Sequence, residues 1–194
     1  ALNDYPMPAA DVPIVTALQL PSSYLITPPR LGDRGGFLRA LEATLRSGIR
    51  LVQLRLFDLP EEELLRVGSD VRALCHANDA RVLLNGSVET AVAIGADGLH
   101  LNSRELYAHR ERPVAATQLL AASCHSPHDL AQAALLGADF ALLSPVLPTR
   151  SHPDADPLGW DRFAAWTDTA TMPVFALGGM HAGLRATAWQ HGAQ

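Results

Sequence analysis

The chain is poor in positive charge, in cysteine and in long apolar runs, and each shortage removes a class of function. Fifteen Lys and Arg against 20 Asp and Glu leave a net charge of −5 over 194 residues. Proteins that bind DNA or RNA neutralise phosphates with clustered cations, and no such footprint is present. The two cysteines, Cys75 and Cys124, fall in a helix-like and a strand-like stretch with no metal-ligand spacing. That argues against a disulfide scaffold or a zinc site and for a reducing, cytoplasmic setting. No run approaches the roughly eighteen apolar residues of a membrane span, and the N-terminus has no basic segment leading into an apolar core. Neither nucleic acid nor membrane is an expected partner.

What remains is an ordinary globular composition, 48% hydrophobic and 18% charged, enough for one large domain with a well-buried core. From Tyr24 onward, short apolar runs alternate with longer helical patterns. The strand candidates are "YLITPP", "LVQLRL", "RVLLNG", "GLHLNS", "LLAASCH", "FALLSPV" and "PVFALGG". Between them lie helical stretches opened by Pro60 with Glu61, Glu62 and Glu63, or by Ser126-Pro127, and closed by Gly48, Gly95 and Gly137. Such alternation predicts a parallel sheet with right-handed crossovers.

The second strand decides between sheet types. Val52, Leu54 and Leu56 fall on one face, Gln53 and Arg55 on the other. A doubly wound sheet meets helices on both faces and needs both apolar. A barrel has an interior where polar groups near the carboxyl ends can meet a ligand, and the competing explanation is an edge strand with one solvated face. The expected fold is therefore an α/β (β/α)8 TIM barrel. Seven strand candidates are one short of closure, so either an eighth follows "HGAQ" or comes from another chain, or the barrel is open. An unpaired edge invites association into a homo-oligomer.

Barrel chemistry gathers at the carboxyl ends of strands. Those positions hold Gln53 and Arg55, Asn85 and Gly86, Asn102 and Glu105, Ser123 and His125, Thr149 through His152, then Gly178 and Gly179. Thr149, Ser151 and the diglycine form a candidate phosphate site, with Arg55 as the cation. His125 follows Ser123 on the same parity, and an imidazole titrating near neutrality can take and give a proton. His100 lies on the opposite parity from Leu99 and Leu101, a position that can face the interior. His76, His109, His128, His181 and His191 read as surface or helix residues.

Together "YLIT", "VQLR", "LLNGSVETAVAIGADGLHL", "SCHS", "SPVLPTRSHPDADPLGW" and "FALGGM" resemble the thiamine phosphate synthase/TenI family over residues 24–194. The resemblance implies a barrel enzyme of thiamine biosynthesis acting on a phosphorylated thiazole. Synthases of this family couple that thiazole to a hydroxymethylpyrimidine diphosphate with Mg²⁺. Their pattern carries a lysine where Phe57 stands and a metal-binding aspartate where Gly86 stands; Glu105 could supply a second carboxylate. The thiazole tautomerases of the TenI branch instead have "N-G" after the third strand, which Asn85-Gly86 matches. On this basis the expected activity is a metal-free tautomerase. His125 would move the proton, Gln53, Arg55, Asn85 and Ser123 would bind substrate, and Thr149, Ser151, Gly178 and Gly179 would hold its phosphate. The alternatives are the magnesium-dependent synthase and a non-catalytic phosphate-binding domain. Residues 1–23 form a linker, whose "LNDYPMPAADVPIVTAL" resembles the end of a MutT-type Nudix hydrolase without its catalytic box. This implies a fused Nudix domain.

Overall fold

The computed structural model describes residues 19–149 and 156–194, so the expected linker falls largely outside the described residues. The chain begins its alternation with β1 (Leu25–Ile26), α1 (Arg34–Arg46), β2 (Leu51–Leu54), α2 (Glu61–His76), β3 (Arg81–Leu84) and α3 (Val88–Ile94). It continues with β4 (Gly98–Leu101), α4 (Glu105–Ala108), β5 (Leu119–Cys124), α5 (Pro127–Leu135), β6 (Phe140–Leu143), α6 (Gly159–Thr167), β7 (Val174–Ala176) and α7 (Arg185–Gln190). Helix starts follow local chemistry. Asp33, Ser87 and Ser126 each accept a hydrogen bond from the amide three residues on, satisfying a donor that a helix start leaves orphaned. The four-residue α4 is too short to announce itself by periodicity.

All seven strands run parallel in sequence order, each new βα unit adding at the same edge. The sheet curls until its two ends meet. The Tyr24 ring, just before β1, lies 6.0 Å from Phe175 on β7 and 5.1 Å edge-on from Phe140 on β6. The architecture is thus TIM-barrel-like, but eight-stranded closure is not observed: among the described residues β1 and β7 share no ladder. The Gln194 amide donates to Val174 O (2.9 Å) and its side chain to Leu20 O (3.1 Å), bridging that seam at its lower end.

Parity sorts the side chains as the second strand predicts. Val52, Leu54 and Leu56 pack outward against the helices, with Leu45, Val67 and Phe163 among their buried companions. Leu51, Leu83, Ala121, Phe140, Leu142 and Phe175 point inward and make a second apolar cluster with Tyr24 and Ile26. Each fully buried Phe or Leu contributes about 1.5–3 kcal/mol.

At the amino ends of β4 and β6 the same Gly-Ala-Asp turn occurs twice. Gly95 and Gly137 take left-handed φ values of 71° and 70° to end α3 and the α5 turn. Asp97 N–H then donates to Val82 O (2.9 Å) while Val82 N–H donates to Asp97 Oδ2 (2.8 Å). Asp139 repeats this with Leu120, at 2.7 Å both ways.

Candidate functional site

Above the inward apolar cluster, the same faces turn polar. Gln53 on β2, Asn85 just past β3, His100 on β4 and Ser123 on β5 all lie on the inward parity. Gln53, Asn85 and His100 are buried, at 2%, 9% and 1% exposure, so each needs a partner. Asn85 Nδ2 donates to Gln53 Oε1 (3.0 Å), His100 Nε2 lies 2.8 Å from Ser123 Oγ, and Tyr24 Oη lies 3.3 Å from His100 Nδ1. Burial, helped by the nearby Arg55 charge, pushes His100 down to about 3, so it stays neutral at ordinary pH. Burial raises the Tyr24 phenol well above its ordinary value, partly offset by a hydrogen bond from Gln53.

Arg55 stands one step nearer the strand ends. Its backbone is tied to the Thr27 hydroxyl, which accepts from Arg55 N–H (2.9 Å). Its guanidinium lies 4.7 Å from the centroid of the Phe57 ring, which is 43% exposed. The aromatic at the expected lysine position thus steadies a neighbouring cation. The chain contains no lysine at all, so its permanent side-chain cations are guanidinium groups.

The loops after β5, β6 and β7 are contiguous. His125 is exposed, and its Nδ1 donates to Ser144 O (2.8 Å), which fixes the orientation of the ring. The next residue, Pro145, packs on the diglycine: a Cβ at Gly178 would fall 2.8 Å from Pro145 Cα, and one at Gly179 2.9 Å from Pro148 O. Both glycines hold positive φ, 96° and 69°. Only residues without a side chain allow this approach. Candidate phosphate residues Gly178, Gly179 and Thr149 therefore belong to one loop cluster with His125, while Ser151 lies outside the described residues.

Glu105 begins α4, where Asn102 Oδ1 accepts from the amides of Arg104 (2.9 Å) and Glu105 (3.1 Å). Its carboxylate lies 3.8 Å from His109 Nε2. Among the described residues no group of three or more His, Cys, Asp or Glu is arranged to hold a metal.

Tyr24 was not expected here, nor was the partner of His100. The inward parity of position 100 was the available signal for the histidine; Tyr24 precedes its strand and gives none. A second unexpected pair is Tyr107 and Asp129. Tyr107 Oη donates to Asp129 Oδ1 (2.5 Å), and His125 N–H donates to Asp129 Oδ2 (2.7 Å), fastening α4 to the turn that carries His125.

The family model described as thiamine monophosphate synthase matches residues 23–194, leaving the Nudix-like stretch unmatched. A relative in Aquifex aeolicus (strain VF5), named "Putative thiamine-phosphate synthase 2", is 37% identical over 84% of this chain and 87% of its own length. The thiamine-phosphate synthase of Rhodospirillum centenum (strain ATCC 51521 / SW) is 33% identical over 81% and 77%. Among solved structures, thiamine phosphate pyrophosphorylase from Pyrococcus furiosus superposes with a TM-score of 0.74 at 25% identity, covering 88% of this chain and 81% of that one. These names overturn the expected tautomerase. Gly86 does not discriminate, since it has no special backbone angle, and the His125 ring is anchored by a carbonyl whatever the reaction. The strand order, the inward polar layer and the diglycine loop, taken with these matches, show that the chain belongs to the thiamine monophosphate synthase family.

Proposed function

We propose that this chain is a thiamine-phosphate synthase, joining a phosphorylated thiazole to hydroxymethylpyrimidine diphosphate. The bond from the pyrimidine methylene carbon to the diphosphate oxygen breaks, a carbon–nitrogen bond to the thiazole forms, and pyrophosphate leaves with the electron pair. The observation that carries this reading is the family match over residues 23–194, with relatives bearing the synthase name.

The site's own groups suit the reaction. Charge develops on the departing pyrophosphate, and fixed donors aimed at that position lower the barrier. Arg55, steadied by Phe57, supplies a cation there. The loop cluster of Gly178, Gly179 and Thr149 holds the thiazole phosphate. Gln53, Asn85 and Ser123 offer polar atoms to the pyrimidine, and His125 stands in the loop cluster beside the phosphate.

The test is coupled pyrophosphate release from the two substrates, run with and without magnesium. Release matched by thiamine phosphate supports the reading. Binding of thiazole phosphate with no release in either condition rejects it and leaves a phosphate-binding domain.

A further inference from the structure

The ladder between β5 and β6 stops at Ser144, and a side chain completes it. Register pairs Cys124 with Leu143, and one step on Ser144 N–H donates to Cys124 O (3.1 Å). In a parallel ladder the Ser144 carbonyl would next accept from the amide of Ser126. Ser126 instead starts α5, its hydroxyl accepting from Asp129 N–H (3.1 Å). Ser144 is only 8% exposed, so its carbonyl needs another donor. The His125 ring supplies it: Nδ1 lies 2.8 Å from Ser144 O, and because a carbonyl only accepts, Nδ1 carries the proton. The His125 backbone is itself held, its amide donating to Asp129 Oδ2 (2.7 Å).

From Ser144 the contact reaches the diglycine through closely packed backbone. Val146 N–H donates to Leu177 O (2.8 Å), Leu147 N–H donates to Gly178 O (3.1 Å), and Gly178 has no room for a Cβ beside Pro145 Cα. A displaced Ser144 carbonyl therefore displaces Gly178 and Gly179. The coupling reaction asks for no base here, since an aromatic thiazole nitrogen attacks with its own lone pair and has no proton to lose. We infer that His125 is a positioning residue and not a proton carrier, its Nδ1 setting the diglycine turn that takes the thiazole phosphate. Assigning that phosphate to a thiazole rests on the proposed function; the link from His125 to the turn does not.

Asparagine and glutamine separate the two ring nitrogens. The amide nitrogen of His125→Asn can stand where Nδ1 stands and that of His125→Gln where Nε2 stands, and neither side chain exchanges a proton near neutral pH. Titration calorimetry with thiazole phosphate should show affinity about tenfold weaker in His125→Ala and His125→Gln, and within about threefold of the unaltered protein in His125→Asn. In coupled kinetics the loss should fall on KM for thiazole phosphate, with kcat and KM for hydroxymethylpyrimidine diphosphate moving less than about twofold. If His125→Ala does not fold, the contrast between His125→Asn and His125→Gln decides alone. Equal affinities in those two variants, or a kcat lost as fully in His125→Asn as in His125→Gln, would overturn the inference, as would an unaltered protein that does not bind thiazole phosphate. The expected order of affinities without pyrophosphate release in any of these proteins would sink the synthase reading alone.

Discussion

At the amino ends of β4 and β6, Asp97 and Asp139 each close a turn with a residue on the preceding strand and take a basic side chain as a second partner. His76 Nε2 lies 3.0 Å from Asp97, and Arg112 Nη2 donates to Asp139 at 2.8 Å. At the carboxyl ends, Gln53, Asn85, His100 and Ser123 find partners across the interior, with Tyr24 and His100 separated by 76 positions. Lower-end polar groups are consumed by the fold. Upper-end groups are passed along a chain whose last member, Ser123, has capacity left for something outside the protein. That difference separates a stabilising face from a reactive one.

The comparison breaks most sharply at two glycines. A Cβ on Gly98 would fall 2.2 Å from Leu119 O, inside the β4–β5 ladder, where neither backbone can move without losing its register. Gly98→Ala should destabilise by more than about 4 kcal/mol or prevent folding, read by denaturant unfolding and soluble yield. Gly178→Ala meets Pro145 Cα at 2.8 Å in a loop that can shift, although its φ of 96° remains strained. It should cost about 1–3 kcal/mol while pyrophosphate release drops at least roughly 100-fold. Equal stability losses at the two glycines would erase the distinction between the ends.

The second difference is in acid. His100 ordinarily titrates at 6.5 and here at about 3. The unfolded chain therefore takes up the proton first. Stability is complete above pH 6.5 and drains as pH falls toward 3, by up to about 1.4 kcal/mol per pH unit from this group. His100→Gln should flatten the pH dependence of unfolding across that window. An unchanged slope would mean that the imidazole is not desolvated.

Much of this was legible before any coordinates. Strand–helix alternation places all seven strands, and the division of Gln53 and Arg55 from Val52 and Leu54 identifies the inward face. Asn85 and Ser123 follow from the same parity. Long-range pairing was not legible: Tyr24 stands beside a strand of only two residues, and nothing local joins it to His100. Nor did the reaction follow from Gly86, because a glycine at an exposed turn with ordinary backbone angles reports neither a metal site nor its deliberate loss.

The paired aspartates at the lower end should differ from each other. Asp139 accepts from Leu120 N–H and Arg112, which also reaches Gln118 O at 2.7 Å. Asp139→Ala strands a buried amide and a partly buried guanidinium and should cost about 2–4 kcal/mol. Asp97→Ala strands the Val82 amide beside a more exposed His76, and should cost about 1–2 kcal/mol. Both losses should appear in urea midpoints, with pyrophosphate release by the folded fraction unchanged. A kcat effect at the lower end would show that the two faces are coupled.

The smallest expected effect tests the one place where the upper end behaves like the lower. Burial works against the Asp129 carboxylate. Hydrogen bonds from Tyr107, the His125 amide and Ser126 nevertheless hold it below the usual carboxylate range. Asp129 thus stabilises the turn above its ordinary range, and this contribution is lost as pH falls through the depressed value. Tyr107→Phe removes one of those donors from a half-exposed site and should cost only about 0.5–1 kcal/mol. If the latch merely closes a surface turn, kcat and KM will both stay as they were, and Tyr107 belongs with the aspartates below. A fall in kcat at unchanged KM, largest at the acid end of the profile, would instead show that the register of α4 against the His125 turn is felt in the reaction.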